Sequence, residues 1–302
     1  MKKFITILLS LIIVALSLSG CTKTYSEYLY GLFGADGFIT FECEDSSDFD
    51  DCYNEIYSIF NNYNTLTATY GDNMQALNNL PVNQSLAVTQ DFFNLVKTAK
   101  EYYDFTNGYF NPAVYGLNVL WNFSTDTYNG ASATYTLPTT EQINEVMPFT
   151  NFNEVVLNAN DLSITKTNNV TVDLGGFAKG YALNLAKNVV KNYRFDNGYI
   201  SLGSSSILLF GEHEVAIKHP INSNVSDTYL KFNVSGETAI ATSGDYQRYY
   251  YIDGKKYCHI INPFTGKPIE TGAISVTVVG EDAGICDALS TALMAMDKND
   301  AI

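Results

Sequence analysis

The decisive stretch of this chain reads Val172-Asp-Leu-Gly-Gly-Phe-Ala-Lys-Gly-Tyr-Ala-Leu-Asn-Leu-Ala186, in which an apolar strand end runs through two glycines into a helix. Because glycine has no Cβ, the backbone of Gly175 and Gly176 can approach a ligand closely. The first free N–H groups of the helix, at about Lys179, would then point at an anion. The stretch predicts a phosphate-binding turn, with an ordinary β-to-α turn as the alternative.

Three further blocks follow this stretch in close succession. They read Ala241-Thr-Ser-Gly-Asp-Tyr-Gln-Arg248, His259-Ile-Ile-Asn-Pro-Phe-Thr-Gly266 and Asp287-Ala-Leu-Ser-Thr-Ala-Leu293. With the first stretch, and in the same order, they resemble the signatures of the FAD:protein FMN transferases, the ApbE family. The resemblance covers about residues 33 to 296, and it is weaker before Thr106-Asn-Gly-Tyr-Phe-Asn-Pro-Ala113.

The periodicity along the chain predicts an α+β fold with mixed, largely antiparallel sheets and packed helices. Helical spacing begins at Tyr53 and recurs over Leu86 to Tyr103, and Thr139 to Gln142 has the chemistry of a helix cap. The acidic segment Glu42 to Asp51 and the stretch from Thr125 to Pro138 are predicted as loops. Val155 to Leu157 and Leu162 to Thr165 are predicted as two strands around Asn158 to Asp161, short strands follow between residues 198 and 241, and Asp253-Gly254 predicts a hairpin. The resemblance implies one unit with a cofactor cleft between a helical N-terminal portion and a sheet-rich remainder.

The N-terminus has the pattern of a bacterial lipoprotein signal. Lys2 and Lys3 precede an apolar run from Phe4 to Leu18, and Leu18-Ser-Gly-Cys21 closes it. We expect a signal peptide over residues 1–20, lipid attachment at Cys21, a tether over 21–28 and a single domain over 29–302. A plain secretory signal with an unrelated cysteine is the alternative.

Composition limits the partners. The formal net charge of -15 makes nucleic acid an unfavourable partner, so any phosphate must be held by local groups. The lipoprotein signal predicts anchoring to the extracytoplasmic face of the bacterial cell membrane. The other four cysteines show no disulfide framework, although a Cys43–Cys52 pair is an alternative, and Cys258 and Cys286 are expected to be buried apolar residues.

A cluster of oxygen atoms is predicted on the last helix. Asp287 and Thr291 are one turn apart on the same face, with Ser290 beside them. Hard oxygen ligands with few charges suit Mg²⁺, which keeps waters and takes its remaining ligands from a pyrophosphate. The resemblance adds the backbone carbonyl of Gly176. The alternative is that Asp287 interacts with the helix dipole and Thr291 belongs to the core.

His259 is the candidate general base, since it is the histidine that lies within a matched block and its imidazole can take a proton near neutral pH. The resemblance implies that a threonine hydroxyl of a partner protein attacks the FMN-side phosphorus of FAD and that AMP leaves. The implied partners are FAD and extracytoplasmic flavin-acceptor domains of redox proteins. With water as the attacking group the same site would hydrolyse FAD to FMN and AMP. A non-catalytic lipoprotein that binds flavin or another solute is a third reading.

The resemblance also implies which residues contact FAD. The matched positions are Tyr70, Tyr109, Phe110, Asn111, Asp173, Lys179 and Ile261. The sequence departs from the family pattern in three places. Gly203-Ser-Ser205 stands where relatives often have Gly-Gly-Asn, and the first-strand motif reads Gly34-Ala-Asp-Gly37. The sequence also ends at Ile302, where relatives usually continue through another strand. A short variant and a C-terminal truncation are both compatible with the last of these.

Overall fold

The computed structural model describes residues 22–124, 129–132, 136–195, 197–221 and 228–302. The α-helices within these ranges are α1 Ser46–Thr67, α2 Asp72–Asn78, α3 Gln90–Phe105, α4 Tyr115–Leu120, α5 Thr140–Val146, α6 Ala178–Val190, α7 Ala283–Ala295 and α8 Lys298–Ala301. Single 3₁₀ turns occupy Pro112–Val114, Met147–Phe149 and Phe152–Glu154. Among the described helices, each is too short or too polar to cross a bilayer.

The strands are mostly short and lie mainly in the second half of the chain. They are β1 Lys23–Leu32, β2 Ala35–Cys43, β3 Ser85–Ala87, β4 Asn129–Ser132, β5 Val155–Asn158, β6 Ser163–Lys166, β7 Asn197–Leu202, β8 Ser206–Phe210, β9 His213–Lys218, β10 Thr228–Val234, β11 Thr238–Gly244, β12 Tyr249–Ile252, β13 Lys255–Cys258, β14 Ile261–Asn262, β15 Lys267–Pro268 and β16 Ser275–Gly280.

The largest sheet has six strands in the order β1-β2-β7-β8-β11-β16, and every neighbouring pair is antiparallel. Side chains alternate between its two faces: Ile39 and Phe41 of β2 are buried, whereas the neighbouring Phe38 is 38% exposed. Helices α1 and α6 cover the inner face, where Ile56 and Leu183 join the first core cluster. The predicted α+β class is confirmed.

Helices α6 and α7 cross at a glycine. A Cβ added to Gly180 would lie 2.7 Å from the Cβ of Asp287 and would overlap the carbonyl oxygen of Ala283. The crossing brings the helix that follows the glycine turn against the helix that carries Asp287. The absence of a side chain at Gly180 therefore sets the distance between the two halves of the site.

Replacement of Gly180 by alanine should lower the free energy of unfolding by about 3 kcal/mol or more, because backbone atoms at a helix crossing cannot move aside cheaply. Urea unfolding followed by circular dichroism measures the effect. Gly116→Ala is the matched control, since its added Cβ would meet Val146 Cγ1 at 3.2 Å and the Thr171 hydroxyl at 3.4 Å. Equal urea midpoints for Gly180→Ala and the wild type would contradict this view of the crossing.

A second core holds the segment before the glycine turn. The backbone of Val172 makes two hydrogen bonds with the side chain of Asn78. The Val172 N–H donates to Asn78 Oδ1 at 2.7 Å, and Asn78 Nδ2 donates to the Val172 carbonyl at 2.9 Å. The ammonium group of Lys166, which is fully buried, donates to the carbonyls of Asn78 (2.8 Å) and Val170 (3.0 Å). Burial lowers the pKa of Lys166. These hydrogen bonds hold the backbone of residues 170–172 in place, as pairing with a neighbouring strand would do.

Most predicted elements are present. Thr139 caps α5 with the full capping box, Asp282 caps α7, and Asp253-Gly254 joins β12 to β13. The two strands predicted around Asn158 to Asp161 pair as β5 and β6. Cys43, Cys52, Cys258 and Cys286 are free and buried, so the expectation for the last two is confirmed.

Four predicted elements need correction. The tether ends at Thr22, because Lys23 already begins β1, and the acidic segment predicted as a loop becomes helical at Ser46, where Asp45 accepts the N–H of Ser47. The helix predicted from Leu86 starts at Gln90, since residues 85–87 pair with β6. Within the region predicted as a loop over 125–138, residues 129–132 form β4 beside β12. The signal peptide, Cys21 and the rest of that loop up to residue 135 lie outside the described residues.

Candidate active site

The glycine turn opens directly into α6. The N–H of Asp173 donates to the carbonyl of Pro112 (2.8 Å), and the Asp173 carboxylate accepts the N–H of Gly175 (2.8 Å). These bonds fix the turn beside the segment that starts at Tyr109. The N–H of Gly180 donates to Asp287 at 3.0 Å, so the prediction of free N–H groups at the start of this helix is wrong for that group. A carboxylate of the chain itself takes the place of the expected anion there.

A cleft of about 440 Å³ lies at this turn. Its lining combines the β1–β2 turn, the segment from Tyr109 onward, the glycine turn and the blocks that contain Arg248 and His259. The lining residues are Phe33, Gly34, Ala35, Tyr109, Phe110, Asn111, Pro112, Val114, Asn118, Phe123, Asp173, Gly175, Gly176, Lys179, Ser205, Ser243, Gln247, Arg248, His259, Ile260, Ile261 and Thr291.

A group of oxygen atoms forms one part of the wall. The Ser243 hydroxyl lies 2.7 Å from that of Ser290 and 3.3 Å from that of Thr291. Gly176 is adjacent, since a Cβ at this position would lie 4.0 Å from the Thr291 hydroxyl. Gly176, Ser243 and Thr291 line the cleft, whereas Ser290 is fully buried behind them and donates to the carbonyl of Asp287 (2.9 Å).

Asp287 lies beneath this wall and is 6% exposed. Burial raises the pKa of its carboxyl group, and the charge of Lys179 together with the Gly180 N–H opposes that rise. One oxygen accepts the Gly180 N–H and the other lies 3.5 Å from the Ser206 hydroxyl. A buried carboxylate with so few donors retains lone pairs for a cation.

The donor set of Gly176, Asp287 and Thr291 fits a hard divalent cation. All its available atoms are oxygens, and the carboxylate supplies one charge. Within the described residues no three His, Cys, Asp or Glu side chains gather at one place, which leaves Asp287 as the anionic member of this set. Such a site leaves room for oxygen ligands from a bound pyrophosphate.

His259 lines the cleft in a defined orientation. Its backbone N–H donates to the carbonyl of Arg248 (3.0 Å), and its Nδ1 lies 3.2 Å from the same oxygen. A proton on Nδ1 satisfies that contact and leaves Nε2 as an acceptor. The carbonyl of Arg248 therefore selects the tautomer that can take a proton at Nε2.

The electrostatic surroundings of His259 differ from the sequence expectation. Burial, followed by the charges of Arg248 and Lys179, lowers its pKa to about 4. The expected titration near neutral pH is thus displaced, and the ring is uncharged at pH 7. Bound phosphates would offset the two cations and move the pKa back toward neutral.

The segment from Tyr109 to Asn111 contributes mainly shape. Phe110 is buried against Phe177, with ring centroids 5.6 Å apart, and closes the cleft beside Gly176. The Asn111 side chain is used by the protein itself, because its Nδ2 donates to Thr150 O (2.8 Å) and its Oδ1 accepts the Ala113 N–H (2.8 Å). Tyr109 is half-buried and offers an aromatic face at the cleft.

Nearly all the residues predicted to contact FAD lie along the same cleft. Tyr109, Phe110, Asn111, Asp173, Lys179 and Ile261 all line the cleft. Tyr70 does not: its side chain is 66% exposed, and its hydroxyl donates to the carbonyl of Ser124 at 3.1 Å.

Two groups of cleft residues were not predicted as site residues. Arg248 and Ser243 line the cleft and lie in the block from Ala241 to Arg248, so the match of that block to the family signature could have identified them. Phe33 and its neighbours come from the departing first-strand motif. Phe33 has a φ of 53°, and its N–H donates to Asn64 Oδ1 at 2.7 Å, which holds the β1–β2 turn at the cleft.

This fold and cleft define a class of α+β proteins in which a glycine turn, buried oxygen ligands and a histidine surround a site for an anionic ligand. The model of the ApbE family matches residues 34–302, and the chain belongs to this family. The first-strand departure therefore lies inside the matched region.

The relatives and solved structures agree with this assignment. An FAD:protein FMN transferase from Vibrio cholerae is 28% identical over 253 residues, which cover 81% of this chain and 73% of the relative. One from Chlamydia pneumoniae is 27% identical over 257 residues, covering 84% and 76%. The crystal structure of the ApbE protein from Thermotoga maritima superposes with a TM-score of 0.80 at 27% identity, covering 91% of this chain and 87% of that one. The flavin transferase ApbE from Vibrio cholerae gives 0.76 at 25% identity, covering 93% and 89%.

Proposed function

We propose that the protein is a Mg²⁺-dependent FAD:protein FMN transferase. A threonine hydroxyl of an acceptor protein attacks the FMN-side phosphorus of FAD. The new P–O bond forms as the pyrophosphate P–O bond breaks, AMP leaves, and FMN remains as a phosphoester on the threonine. The observation that carries the proposal is the convergence of His259, Lys179 and Thr291 on one cleft, with the buried Asp287 one helical turn from Thr291, in a chain of this family.

His259 supplies the general base. With Nδ1 held by the carbonyl of Arg248, Nε2 can accept the proton of the attacking hydroxyl. The lowered pKa of His259 keeps the ring uncharged at pH 7, and the negative charge of bound FAD would raise its basicity. The base is therefore strengthened by substrate binding.

Lys179 and Arg248 neutralise the pyrophosphate. Both line the cleft of a protein whose net charge is -15, so they concentrate positive charge where the surrounding field is negative. Arg248 is held in place by a 2.6 Å bond from its Nη2 to the carbonyl of Phe123. The binding of a dianion thus depends on these two side chains and on a metal.

Gly176, Asp287 and Thr291 would hold Mg²⁺, with the Ser243 hydroxyl next to them and Ser290 supporting the group from behind. When bound, the metal would neutralise charge that develops on the pyrophosphate and on the leaving AMP. The Gly180 N–H holds one oxygen of the Asp287 carboxylate, and the Ser206 hydroxyl lies beside the other.

Incubation with FAD, Mg²⁺ and an extracytoplasmic flavin-acceptor domain of a redox protein tests the function. In-gel flavin fluorescence of the acceptor detects transfer, and free FMN detects hydrolysis. Fluorescent acceptor together with stoichiometric AMP supports the transferase. Release of FMN alone would indicate an FAD pyrophosphatase, and FAD binding without either product would indicate a binding lipoprotein.

We further propose that Cys21 carries a lipid that anchors the enzyme at the extracytoplasmic face of the membrane. The Leu18-Ser-Gly-Cys21 boundary supports this, and β1 begins at Lys23, so the folded domain would lie close to the anchor. The acceptors in reach are then domains on the same side of the membrane.

Replacement of Cys21 by serine should release the protein from the membrane and leave its transferase activity unchanged, because the lipid has no part in the cleft. Cell fractionation and the fluorescence assay measure the two properties. Cys258→Ser, at a cysteine that is buried in the domain, controls for loss of a thiol. A Cys21→Ser protein that stays in the membrane fraction would show that another feature holds it there.

A further inference from the structure

Phe264 is presented to solvent by a loop that the rest of the fold holds in place. The N–H groups of Phe264 and Thr265 both donate to Asn262 Oδ1, at 2.9 and 3.2 Å, and Asn262 Nδ2 donates to the carbonyl of Ala295 (3.1 Å). The N–H of Gly266 closes the turn onto Asn262 O at 2.9 Å. The Phe264 side chain remains 56% exposed in spite of these contacts.

The end of the loop, at Gly266, packs against core residues. Gly266 has a φ of 67°, and a Cβ there would lie 2.7 Å from Ile143 Cγ2 and 2.8 Å from Met147 Sδ. Its carbonyl accepts the indole N–H of Trp121 at 2.7 Å. The end of the loop is therefore packed against the core, while the Phe264 side chain is exposed to solvent.

Phe264 adjoins the cleft. Its ring contacts the edge of Tyr109 with centroids 4.8 Å apart, and Tyr109 lines the cleft. The Tyr109 hydroxyl donates to Asp300 Oδ2 (3.1 Å), which fixes the orientation of this ring. His259 begins the same block that carries Phe264, so Phe264 lies on the chain segment that holds the general base.

We propose that Phe264, supported by Tyr109, is a docking point for the acceptor protein, where an apolar side chain near the modified threonine packs. This inference rests on the proposed function, which requires a second polypeptide to bring a hydroxyl to His259. A single exposed phenylalanine is ordinary on a protein surface. Here hydrogen bonds hold the loop backbone, the ring contacts Tyr109 at the cleft, and aromatic side chains are enriched at protein interfaces.

FAD itself is a less suitable occupant of this surface. Phe264 is not among the residues that line the cleft, although its partner Tyr109 is. An apolar contact from the acceptor would cover the exposed ring and bury apolar surface on both molecules. The two substrates thus meet at Tyr109, with FAD in the cleft and the acceptor on Phe264.

Replacement of Phe264 by serine tests the proposal. With an acceptor domain that the wild type flavinylates, the KM for the acceptor should rise about tenfold, the loss expected for removal of an aromatic anchor. The kcat at saturating acceptor and the equilibrium Kd for FAD should stay at the wild-type values, since Phe264 lies outside the cleft. Phe264→Leu keeps an apolar side chain and should restore most of the acceptor affinity.

Tyr229→Ser is the matched control, because Tyr229 is an aromatic residue that is 70% exposed on β10 and does not line the cleft. It should leave the acceptor KM unchanged. An unchanged acceptor KM for Phe264→Ser would overturn the docking point, as would an equal loss of FAD affinity, which would assign the ring to the flavin site. A wild type that modifies no acceptor domain would refute the proposed function and the docking point together.

Discussion

Replacement of His259 by alanine is expected to lower flavin transfer by about 100-fold or more, the range for removal of a positioned general base. The structure supplies the reason: His259 lines the cleft, and the carbonyl of Arg248 contacts Nδ1, so Nε2 is the ring nitrogen that can accept a proton. FAD and Mg²⁺ binding should persist, because neither the oxygen group nor Lys179 makes a described hydrogen bond to this ring. Single-turnover transfer measured beside an equilibrium FAD titration separates the two properties.

His213→Ala is the control for this experiment, since His213 bonds the carbonyl of Phe210 (2.9 Å) and does not line the cleft. It should transfer flavin at the wild-type rate. If His259 has only a structural role, its loss would weaken FAD binding or thermal stability while the rate per flavin-loaded molecule stays normal. Unchanged single-turnover rates would remove His259 from the mechanism.

The same residue links stability to pH. In the fold its pKa is about 4, below the ordinary value of 6.5, so the unfolded chain binds the proton more tightly. The contribution of the neutral ring is fully present above pH 6.5 and is lost as the pH falls through 4. Between these values the wild type should lose more stability than His259→Ala, which can be measured by urea unfolding at both ends of the range.

Replacement of Asp287 by alanine should abolish the response of transfer to Mg²⁺, while FAD binding changes far less. Its carboxylate is the formal charge of the proposed metal set, and a cation held by few ligands depends on that charge. We expect a loss of about 100-fold or more in turnover at millimolar Mg²⁺. Thr291→Val should cost less, because a neutral hydroxyl contributes less to cation binding.

Asp287→Asn separates charge from packing, because the amide oxygen can still accept the Gly180 N–H. Burial raises the pKa of Asp287, so the carboxylate is unfavourable in the metal-free fold, and the asparagine variant should be at least as stable as the wild type. Mg²⁺ should raise the Tm of the wild type and leave that of the variant unchanged. A variant that keeps its Mg²⁺-dependent activity and Tm shift would refute the metal assignment.

Much of the fold was predictable because its signals are local. The capping box at Thr139 and Gln142, the cap at Asp282 and the turn at Asp253-Gly254 each depend on bonds or dihedral angles within a few residues. The same holds for the glycine turn and the matched blocks. Such features depend only on residues that are close together in sequence, so they can be identified without knowledge of the rest of the chain.

The wrong secondary-structure predictions lie in segments whose structure depends on pairing with another strand. Strand β1 is exposed on both faces over much of its length, so it shows no alternation, and its pairing with β2 alone makes it a strand. Residues 85–87 continue an apolar, helix-like spacing but pair with β6 instead. In both places hydrogen bonds to another strand outweigh local propensity.

The residue types and their spacing were enough to identify the candidate chemistry: a glycine turn, a histidine, and an aspartate with hydroxyls one turn away. How these groups work depends on contacts between parts of the chain that are far apart in sequence. The crossing at Gly180 brings Asp287 to the turn, the carbonyl of Arg248 chooses the tautomer of His259, and burial beside two cations lowers the pKa of that ring. Residue types define what a group can do, whereas its orientation and local dielectric depend on neighbours that are distant in the chain.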